Sequence, residues 1–259
     1  MKNIVYFFYF ILGYRFKDLY KRIGAVGWYF TDLREIKKQL KNNPEFKIGR
    51  IYPCLMDKTA QSGNTKSPYF YQDLYVAQRV FINGPQKHTD IGSSISGFVA
   101  HVASFREIEV IDIRPLDSTI KNVTFVQLDM MDDRKLSTLQ YESISSLHAI
   151  EHFGLGRYGD PIDVNGHIKA IQNIHKIIKQ GGRFYFSVPI GPQRIEFNAH
   201  RVFSLTYLIK NLEDKFTIER FSYIDDKFDF FENVTLDPKL IANNYNCNLG
   251  CGIFELIKK

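Results

Sequence analysis

Cysteine and tryptophan are scarce in this sequence, and no long hydrophobic run is present. Its 259 residues include three cysteines and one tryptophan. Cys54, Cys247 and Cys251 have no framework spacing, which excludes a disulfide-stapled domain and favours a reducing, cytoplasmic setting. Two further ligands beside Cys247 and Cys251 are missing, so we expect no metal site. The apolar run at residues 4–12 is far shorter than the roughly 20 residues that cross a bilayer.

The positive charge is concentrated at the N-terminus. The whole chain carries a net charge of +6, whereas residues 1–50 alone hold eleven Lys or Arg against four Asp or Glu. The rest of the chain is therefore close to neutral. Enzymes that act on nucleic acids usually carry a basic stripe around the active site. We expect no nucleic-acid partner.

Residues 1–22 combine an aromatic-rich apolar run with basic flanks. One interpretation is a helix that packs on the rest of the protein or on a second subunit, which leaves a homodimer open. The other is a peripheral contact with a membrane surface. We expect residues 1–50 to form a basic, aromatic-rich helical extension and residues 51–259 to form an α/β domain.

Strand and helix patterns alternate along the α/β domain. Helices are predicted at Thr31–Leu40, Tyr69–Val80, Gly97–Phe105, Val164–Lys179 and Ser204–Leu212. Gly181-Gly182 is expected to end the helix at Val164–Lys179. Apolar strands are predicted at His88–Gly92, Glu109–Ile113, Val123–Asp129, Ser143–His148, Arg183–Ile190, Phe216–Ile224 and Gly252–Ile257. This alternation predicts a doubly wound, mostly parallel, seven-stranded Rossmann-like sheet with an antiparallel final strand.

The ends of the first strands carry residues suited to a nucleoside cofactor. Gly92 lets backbone amides approach a ligand closely, and the helix that follows favours its carboxylate. Asp112 offers two acceptor oxygens to ribose hydroxyls, and Asp129 lies where an adenine amino group would be met. The segment is not Gly-x-Gly-x-x-Gly, so the dinucleotide fingerprint fails. The predicted cofactor-binding residues are Asp90, Gly92, Ser93, Gly97, Asp112, Ile113, Asp129, Met130 and His148.

Asp90-x-Gly92, Asp112, Asp129 and the run at 177–189 around Gly181-Gly182 resemble the successive motifs of class I S-adenosylmethionine-dependent methyltransferases. The resemblance covers about residues 87–259 and implies S-adenosylmethionine as the cofactor. Ser94 stands where these enzymes usually have a second glycine. A non-catalytic pseudo-methyltransferase subunit is therefore the alternative to an enzyme.

A narrower resemblance lies in Tyr52-Pro53, Tyr69–Asp73, His88–Gly97, Asp112–Pro115 and His148–Asp160. These segments are similar to a methyltransferase-like family of unsettled activity, first described from Caenorhabditis and common in bacteria. Its members often occur in surface-polysaccharide contexts. The resemblance implies a sugar or sugar nucleotide of surface-glycan biosynthesis as the acceptor, but no mechanism. We expect O-methylation of that acceptor, with a lipid or another metabolite as the alternative.

The chemistry is expected after the fourth strand, in His148-Ala-Ile-Glu151-His152. An alcohol acceptor needs a base within about 3 Å, and we rank His152 first, with His200 and Glu151 behind it. The same letters fit the His-x-x-Glu-His motif of inverted zinc peptidases, but that motif belongs on a helix. The glycine-rich stretch that follows is either a substrate loop or a plain connection. As a substrate loop it would bind the acceptor through Arg157, Tyr158 and Asp160.

Overall fold

The computed structural model describes residues 16–42, 45–60, 62–63, 65–136 and 138–259. The chain divides into two compact units, one up to Asn64 and the other Thr65–Lys259. The apolar run at residues 4–12 lies outside the described residues, so the membrane contact stays a prediction. The domain boundary at residue 50 also stays a prediction, and the unit that holds the sheet begins at Thr65.

The first unit contains a long helix, α1 (Phe16–Leu40), which begins well before the predicted Thr31. Asp32 on this helix forms an ion pair with Lys58 at 2.7 Å. The Lys58 ammonium also lies 4.6 Å from the centre of the Trp28 ring. Neither α1 nor any other helix in the described part of the chain is long and apolar enough to cross a membrane.

Eight strands of the second unit form one mixed sheet. In chain order the strands are β1 (His88–Ile91), β2 (Ile108–Asp112), β3 (Val123–Gln127), β4 (Tyr141–Leu147), β5 (Ile178–Ile190), β6 (Arg194–Glu196), β7 (His200–Val202), β8 (Phe216–Ile224), β9 (Phe230–Phe231) and β10 (Gly250–Lys258). The sheet order is β3-β2-β1-β4-β5-β10-β8-β9, and β6 and β7 form a separate hairpin. Strands β1 to β5 are parallel, and β10 runs antiparallel to both β5 and β8.

The predicted fold class is therefore confirmed, with one strand more in the sheet than predicted and with the β6–β7 hairpin in addition. The eighth strand, β9, has only two residues and pairs with the end of β8. Two residues are too short to carry an alternating pattern, so periodicity could not reveal this strand. All seven predicted strands are present.

The helices of the second unit cover both faces of the sheet. They are α2 (Pro68–Asn83), α3 (Ala100–Ala103), α4 (Gly166–Ile177), α5 (Leu205–Leu212) and α6 (Pro238–Ala242). The side chains of β5 alternate between two hydrophobic clusters. Phe184 and Phe186 pack in the cluster that includes α4 and α5, whereas Tyr185 packs in the cluster that includes α2. Because both faces are buried, the central strands read as nearly continuous apolar runs.

Two further helix boundaries, both in the second unit, were predicted incorrectly. The helix predicted over Gly97–Phe105 is split, because Gly97 has a non-helical backbone and a π-turn over Ile95–Val99 precedes α3. Helix α4 ends at Ile177 and not at Gly181-Gly182, which lie inside β5. The Nζ of Lys258 donates to the carbonyl oxygens of His175 and Ile178, at 2.6 and 2.7 Å, and so satisfies this helix end.

Replacement of Phe254 by alanine should destabilise the second unit by about 3–5 kcal/mol. The Phe254 ring is fully buried and lies 4.8 Å from the Phe221 ring, so its loss leaves a cavity between β10 and β8. Urea unfolding followed by circular dichroism measures the change. The matched control is Phe81→Ala on α2, where the ring is 62% exposed and the expected cost is about 0.5 kcal/mol. Equal costs for the two variants would contradict the packing of this layer.

Candidate active site

A buried carboxylate holds the loop that follows β1. Asp90 is fully buried, and its Oδ2 accepts the backbone N–H of Ser93 at 3.0 Å. Its Oδ1 accepts the hydroxyls of Ser93 at 2.6 Å and Ser145 at 2.5 Å. Burial raises the pKa of Asp90 to about 6, and the hydrogen bonds from the two serines oppose that rise. The Ser93 hydroxyl accepts the N–H of Leu147 at 3.0 Å, which ties the loop to β4.

A buried histidine extends this polar chain between β1 and β4. Because the Ser145 hydroxyl donates to Asp90, the Nε2 of His88 donates to that hydroxyl, at 2.9 Å. The Nδ1 of His88 then accepts from the hydroxyl of Ser143 at 2.8 Å. Burial lowers the pKa of His88 to about 3, so its ring is neutral at physiological pH. His88 and the two serines thus support the loop from inside the sheet.

The conformation of the loop explains its glycines and Ser94. Gly92 has a φ of +72°, and a β-carbon there would lie 3.0 Å from the Cβ of Ala149. Ser94 has φ −67° and ψ 123°, which is extended backbone open to any residue. A glycine at position 94 is therefore not needed. Gly97 is needed, because a β-carbon there would collide with the carboxylate of Asp73.

Two adjoining cavities open at the carboxyl ends of the parallel strands, with volumes of about 650 and 50 Å³. The larger volume lies within the range of about 300–1,000 Å³ that small-molecule sites usually occupy. Among the predicted cofactor-binding residues, the larger cavity is lined by Gly92, Ser93, Gly97, Asp112 and His148, and the smaller one also by Ile113, Asp129 and Met130. Asp90 lies beneath the loop instead.

Several cavity residues were not predicted. The first turns of α2 contribute Tyr69, Gln72 and Asp73, and the segment after β2 contributes Arg114. Both segments belong to the narrower family resemblance, which was the available signal. The three α2 side chains face the cavity because α2 packs beside the loop after β1, and periodicity does not reveal that packing.

The carboxylate of Asp112 is already oriented by a neighbour. The Nη2 of Arg114 donates to Oδ2 at 2.6 Å, and its Nε donates to Oδ1 at 3.0 Å. The same guanidinium lies 4.3 Å from the centre of the Tyr158 ring, and the guanidinium of Arg157 lies 5.1 Å from it. Tyr158 thus connects the segment after β4 with the end of β2.

A cluster of two histidines and a glutamate follows β4. The Nδ1 of His148 and the Oε1 of Glu151 are 2.9 Å apart, and the Nε2 of His152 is 3.7 Å from the same oxygen. Glu151 is almost completely buried. The Nδ1–H of His152 donates to the carbonyl oxygen of Ala199 at 2.6 Å. This bond assigns the lone pair of the neutral ring to Nε2.

The ionisation of the three groups differs. Burial works against the charged form of His148, but the neighbouring Cys251 sulfur and Glu151 carboxylate raise its pKa well above the usual range. Burial would raise the pKa of Glu151, but His148 outweighs it and lowers that pKa. Burial lowers the pKa of His152, against the attraction of Glu151. His148 and Glu151 therefore form an ion pair, and His152 is neutral.

The two other residues predicted for substrate binding or catalysis, Asp160 and His200, hold the loop that follows the cluster of His148, Glu151 and His152 or lie further from that cluster. The Asp160 carboxylate accepts the backbone N–H groups of Gly154, Gly156 and Tyr158, so it folds this loop. His200 lines neither cavity, and its ring lies 6.4 Å from that of His152. No cluster of His, Cys, Asp and Glu among the described residues has the arrangement of a metal site.

Replacement of Gly92 by alanine should destabilise the protein by more than the roughly 1 kcal/mol cost of a left-handed alanine. The extra cost comes from crowding against Ala149. The control is Gly84→Ala, since Gly84 has a φ of +58° but open space around it. Thermal unfolding compares the two variants with Ser94→Gly, for which we expect no loss beyond the usual cost of a glycine. A Gly92→Ala variant no worse than Gly84→Ala would contradict the contact with Ala149.

Solved structures with a similar fold include three proteins of different activities. The [4+2]-cyclase SpnF has a TM-score of 0.53 and 13% identity over 76% of this chain and 85% of that one. The 1,6-didemethyltoxoflavin-N1-methyltransferase of Burkholderia thailandensis, with bound 1,6-didemethyltoxoflavin and S-adenosylhomocysteine, has a TM-score of 0.50 and 15% identity over 75% and 79%. The O-methyltransferase of a trans-AT PKS multienzyme of Brevibacillus brevis, in complex with S-adenosyl-L-homocysteine, has a TM-score of 0.50 and 14% identity over 72% and 71%.

These similarities show the fold, which is that of class I S-adenosylmethionine-dependent methyltransferases, as the strand-end motifs predicted. None of the curated proteins matches the chain. A family model described as "Caenorhabditis protein of unknown function, DUF268" matches residues 101–232, about half of the chain. The narrower resemblance is thereby confirmed, and the chain belongs to the DUF268 family.

Proposed function

We propose that this protein binds S-adenosylmethionine and transfers its methyl group to a small polar acceptor. The observation that carries the proposal is the larger cavity, in which the loop after β1, the carboxylate of Asp112 and the cluster after β4 face one space. In open α/β sheets, ligands bind outside the carboxyl ends of the strands, where the strand order reverses. Here that reversal lies between β1 and β4.

The residues around the cavities fit this cofactor. The loop after β1 lines the larger cavity with Gly92, Ser93 and Gly97, whose absent or small side chains let a ligand approach the backbone closely. The N–H groups of Gly92 and Ser93 already donate to the Ile111 carbonyl and the Asp90 carboxylate, so they hold the loop in place. Asp112 offers a fixed carboxylate to ribose hydroxyls. Asp129 lies beside Ile113 and Met130 in the adjoining smaller cavity, where its carboxylate could meet the adenine amino group. When bound, S-adenosylmethionine would supply an electrophilic methyl group near the end of β4.

For an alcohol acceptor, we propose His152 as the general base. Its ring is neutral and lines both cavities, and its Nε2 holds the lone pair. The acceptor hydroxyl proton would move to this Nε2, and the Glu151 carboxylate at 3.7 Å would stabilise the imidazolium that forms. Methyl transfer otherwise requires alignment for in-line displacement, which a rigid cavity supplies.

The acceptor we favour is a sugar or sugar nucleotide of surface-glycan biosynthesis. Support comes from Arg157, which lines the cavity and whose Nη1 donates to the Ala199 carbonyl at 3.0 Å. That bond occupies one of five N–H donors, and the others suit a phosphate or carboxylate on the acceptor. A cytoplasmic location, a homodimer and a membrane contact through residues 1–22 stay predictions.

Replacement of Asp112 by asparagine should weaken binding of S-adenosylhomocysteine about tenfold to hundredfold, because hydrogen bonds to a charged group contribute about 1.5–3 kcal/mol. Isothermal titration calorimetry measures the dissociation constants. Asp214→Asn is the control, since it removes the same charge from an exposed carboxylate that lines neither cavity. A wild-type protein that binds neither S-adenosylmethionine nor S-adenosylhomocysteine at millimolar concentration would overturn the proposed function.

Replacement of His152 by alanine should lower kcat by about 10²–10⁴ with an unchanged dissociation constant for S-adenosylhomocysteine. Transfer of labelled methyl groups to a panel of sugar nucleotides measures the rate. Because burial lowers the pKa of His152, its neutral form persists below pH 6.5, and the wild-type rate should fall only at a lower pH. The control is His200→Ala, which changes a histidine outside both cavities. Equal losses in the two variants would remove His152 from the proposed chemistry.

A further inference from the structure

Asp73 is a buried carboxylate in the cavity wall that the proposed chemistry has not used. It lies on the second turn of α2, is only 6% exposed and lines the larger cavity. Its Oδ2 packs directly against Gly97, where a β-carbon would collide with it. Helix α2 and the loop after β1 therefore enclose this carboxylate from two sides.

The orientation of Asp73 is held by a chain of hydrogen bonds from the sheet. The hydroxyl of Ser187 on β5 donates to the Oε1 of Gln72 at 2.5 Å. The Nε2 of Gln72 then donates to the Oδ1 of Asp73 at 2.9 Å. Gln72 and Ser187 are themselves buried, so the carboxylate is fixed before any ligand arrives.

Besides the bond from Gln72, the Asp73 carboxylate has a hydrogen bond with the backbone of Phe98, and among the described residues it forms no ion pair. The histidines that attract it are His101 and His148, and neither forms an ion pair with it in the described part of the chain. Burial is the main influence on Asp73 and raises its pKa. A buried carboxylate is costly unless a positive charge or several hydrogen bonds accompany it. An accessible cavity beside it is where such a cation would bind.

The order of the strands decides which part of the proposed cofactor would reach Asp73. The adenine and ribose of the proposed cofactor would lie at the ends of β3 and β2, beside Asp129 and Asp112, which line the smaller cavity. The sheet continues through β1 to β4, so the opposite end of an extended ligand crosses the loop after β1. Helix α2 borders the cavity there, and the end of S-adenosylmethionine remote from adenine carries an α-ammonium group.

We propose that the Asp73 carboxylate binds the α-ammonium group of the cofactor's amino-acid moiety. This inference rests on the proposed function. It assigns helix α2, which precedes the sheet, a direct part in cofactor recognition. It also gives the reason for a glycine at position 97: the carboxylate that receives the ammonium group occupies the space of a side chain.

The test compares three adenosine thioethers by isothermal titration calorimetry. S-adenosylhomocysteine has both the ammonium and the carboxylate group, 5′-(3-aminopropylthio)-5′-deoxyadenosine keeps only the ammonium group, and 5′-methylthioadenosine has neither. Asp73→Asn should weaken the first two about tenfold to hundredfold, the range for a hydrogen bond to a charged group. It should leave the third within about twofold. Asp214→Asn serves again as the charge control.

The outcomes separate this inference from the proposed function. If wild-type protein binds all three compounds and Asp73→Asn weakens them equally, the inference is overturned and the proposed function stands. If wild-type protein binds none, both fail. Should Asp73→Asn lose all binding, wild-type protein supplies the second test with 5′-(butylthio)-5′-deoxyadenosine, in which a methyl group replaces the ammonium group. Affinity at least tenfold below that of the amine supports the inference, and equal affinity overturns it.

Discussion

The fully buried carboxylate of Asp90, with donors from Ser93 and Ser145, is the interaction on which the site depends. A charged oxygen in the interior without hydrogen bonds costs far more than a hydrogen bond contributes, so the loop after β1 must bring its donors to this carboxylate. The hydroxyl of Ser93 also accepts the backbone N–H of Leu147 on β4. The loop and the neighbouring strand are thereby joined, and the floor of the larger cavity has one conformation.

Around that floor, each of three carboxylates is held by a residue close to it in the sequence. Asp112 is held by Arg114, Glu151 by His148, and Asp73 by Gln72. Each carboxylate is therefore oriented before a ligand binds, which is the condition for electrostatic recognition at low reorganisation cost. The shared fold does not choose the reaction, since structures of this fold include a cyclase and methyltransferases. The side chains at the strand ends make that choice.

Most of the strands could be predicted because their apolar runs are bounded by acids and glycines. Gly92, Asp112 and Asp129 could be assigned to the site because ligands bind at the strand ends of parallel sheets. The end of α4 was predicted incorrectly, since its carbonyl groups are satisfied by Lys258, which is 80 residues from Ile178 in the chain. Asp160, predicted to bind substrate as part of a substrate loop, lines the smaller cavity, and its substrate role stays a prediction. Its backbone partners within that loop appear only once the loop is folded.

The sequence by itself determined the fold class, the order of the motifs and the residues that reach the cavity from their own strand ends. Those features depend on local periodicity and on a parallel sheet whose strands all end at one edge. Tertiary structure alone decided that Asp73 lies against Gly97, that Arg114 holds Asp112, and which nitrogen of His152 is free. The first and the third depend on contacts between segments far apart in the chain, and the second depends on the conformation of the chain just after β2. Charge, hydrogen bonding and ionisation are set by such neighbours rather than by residue type.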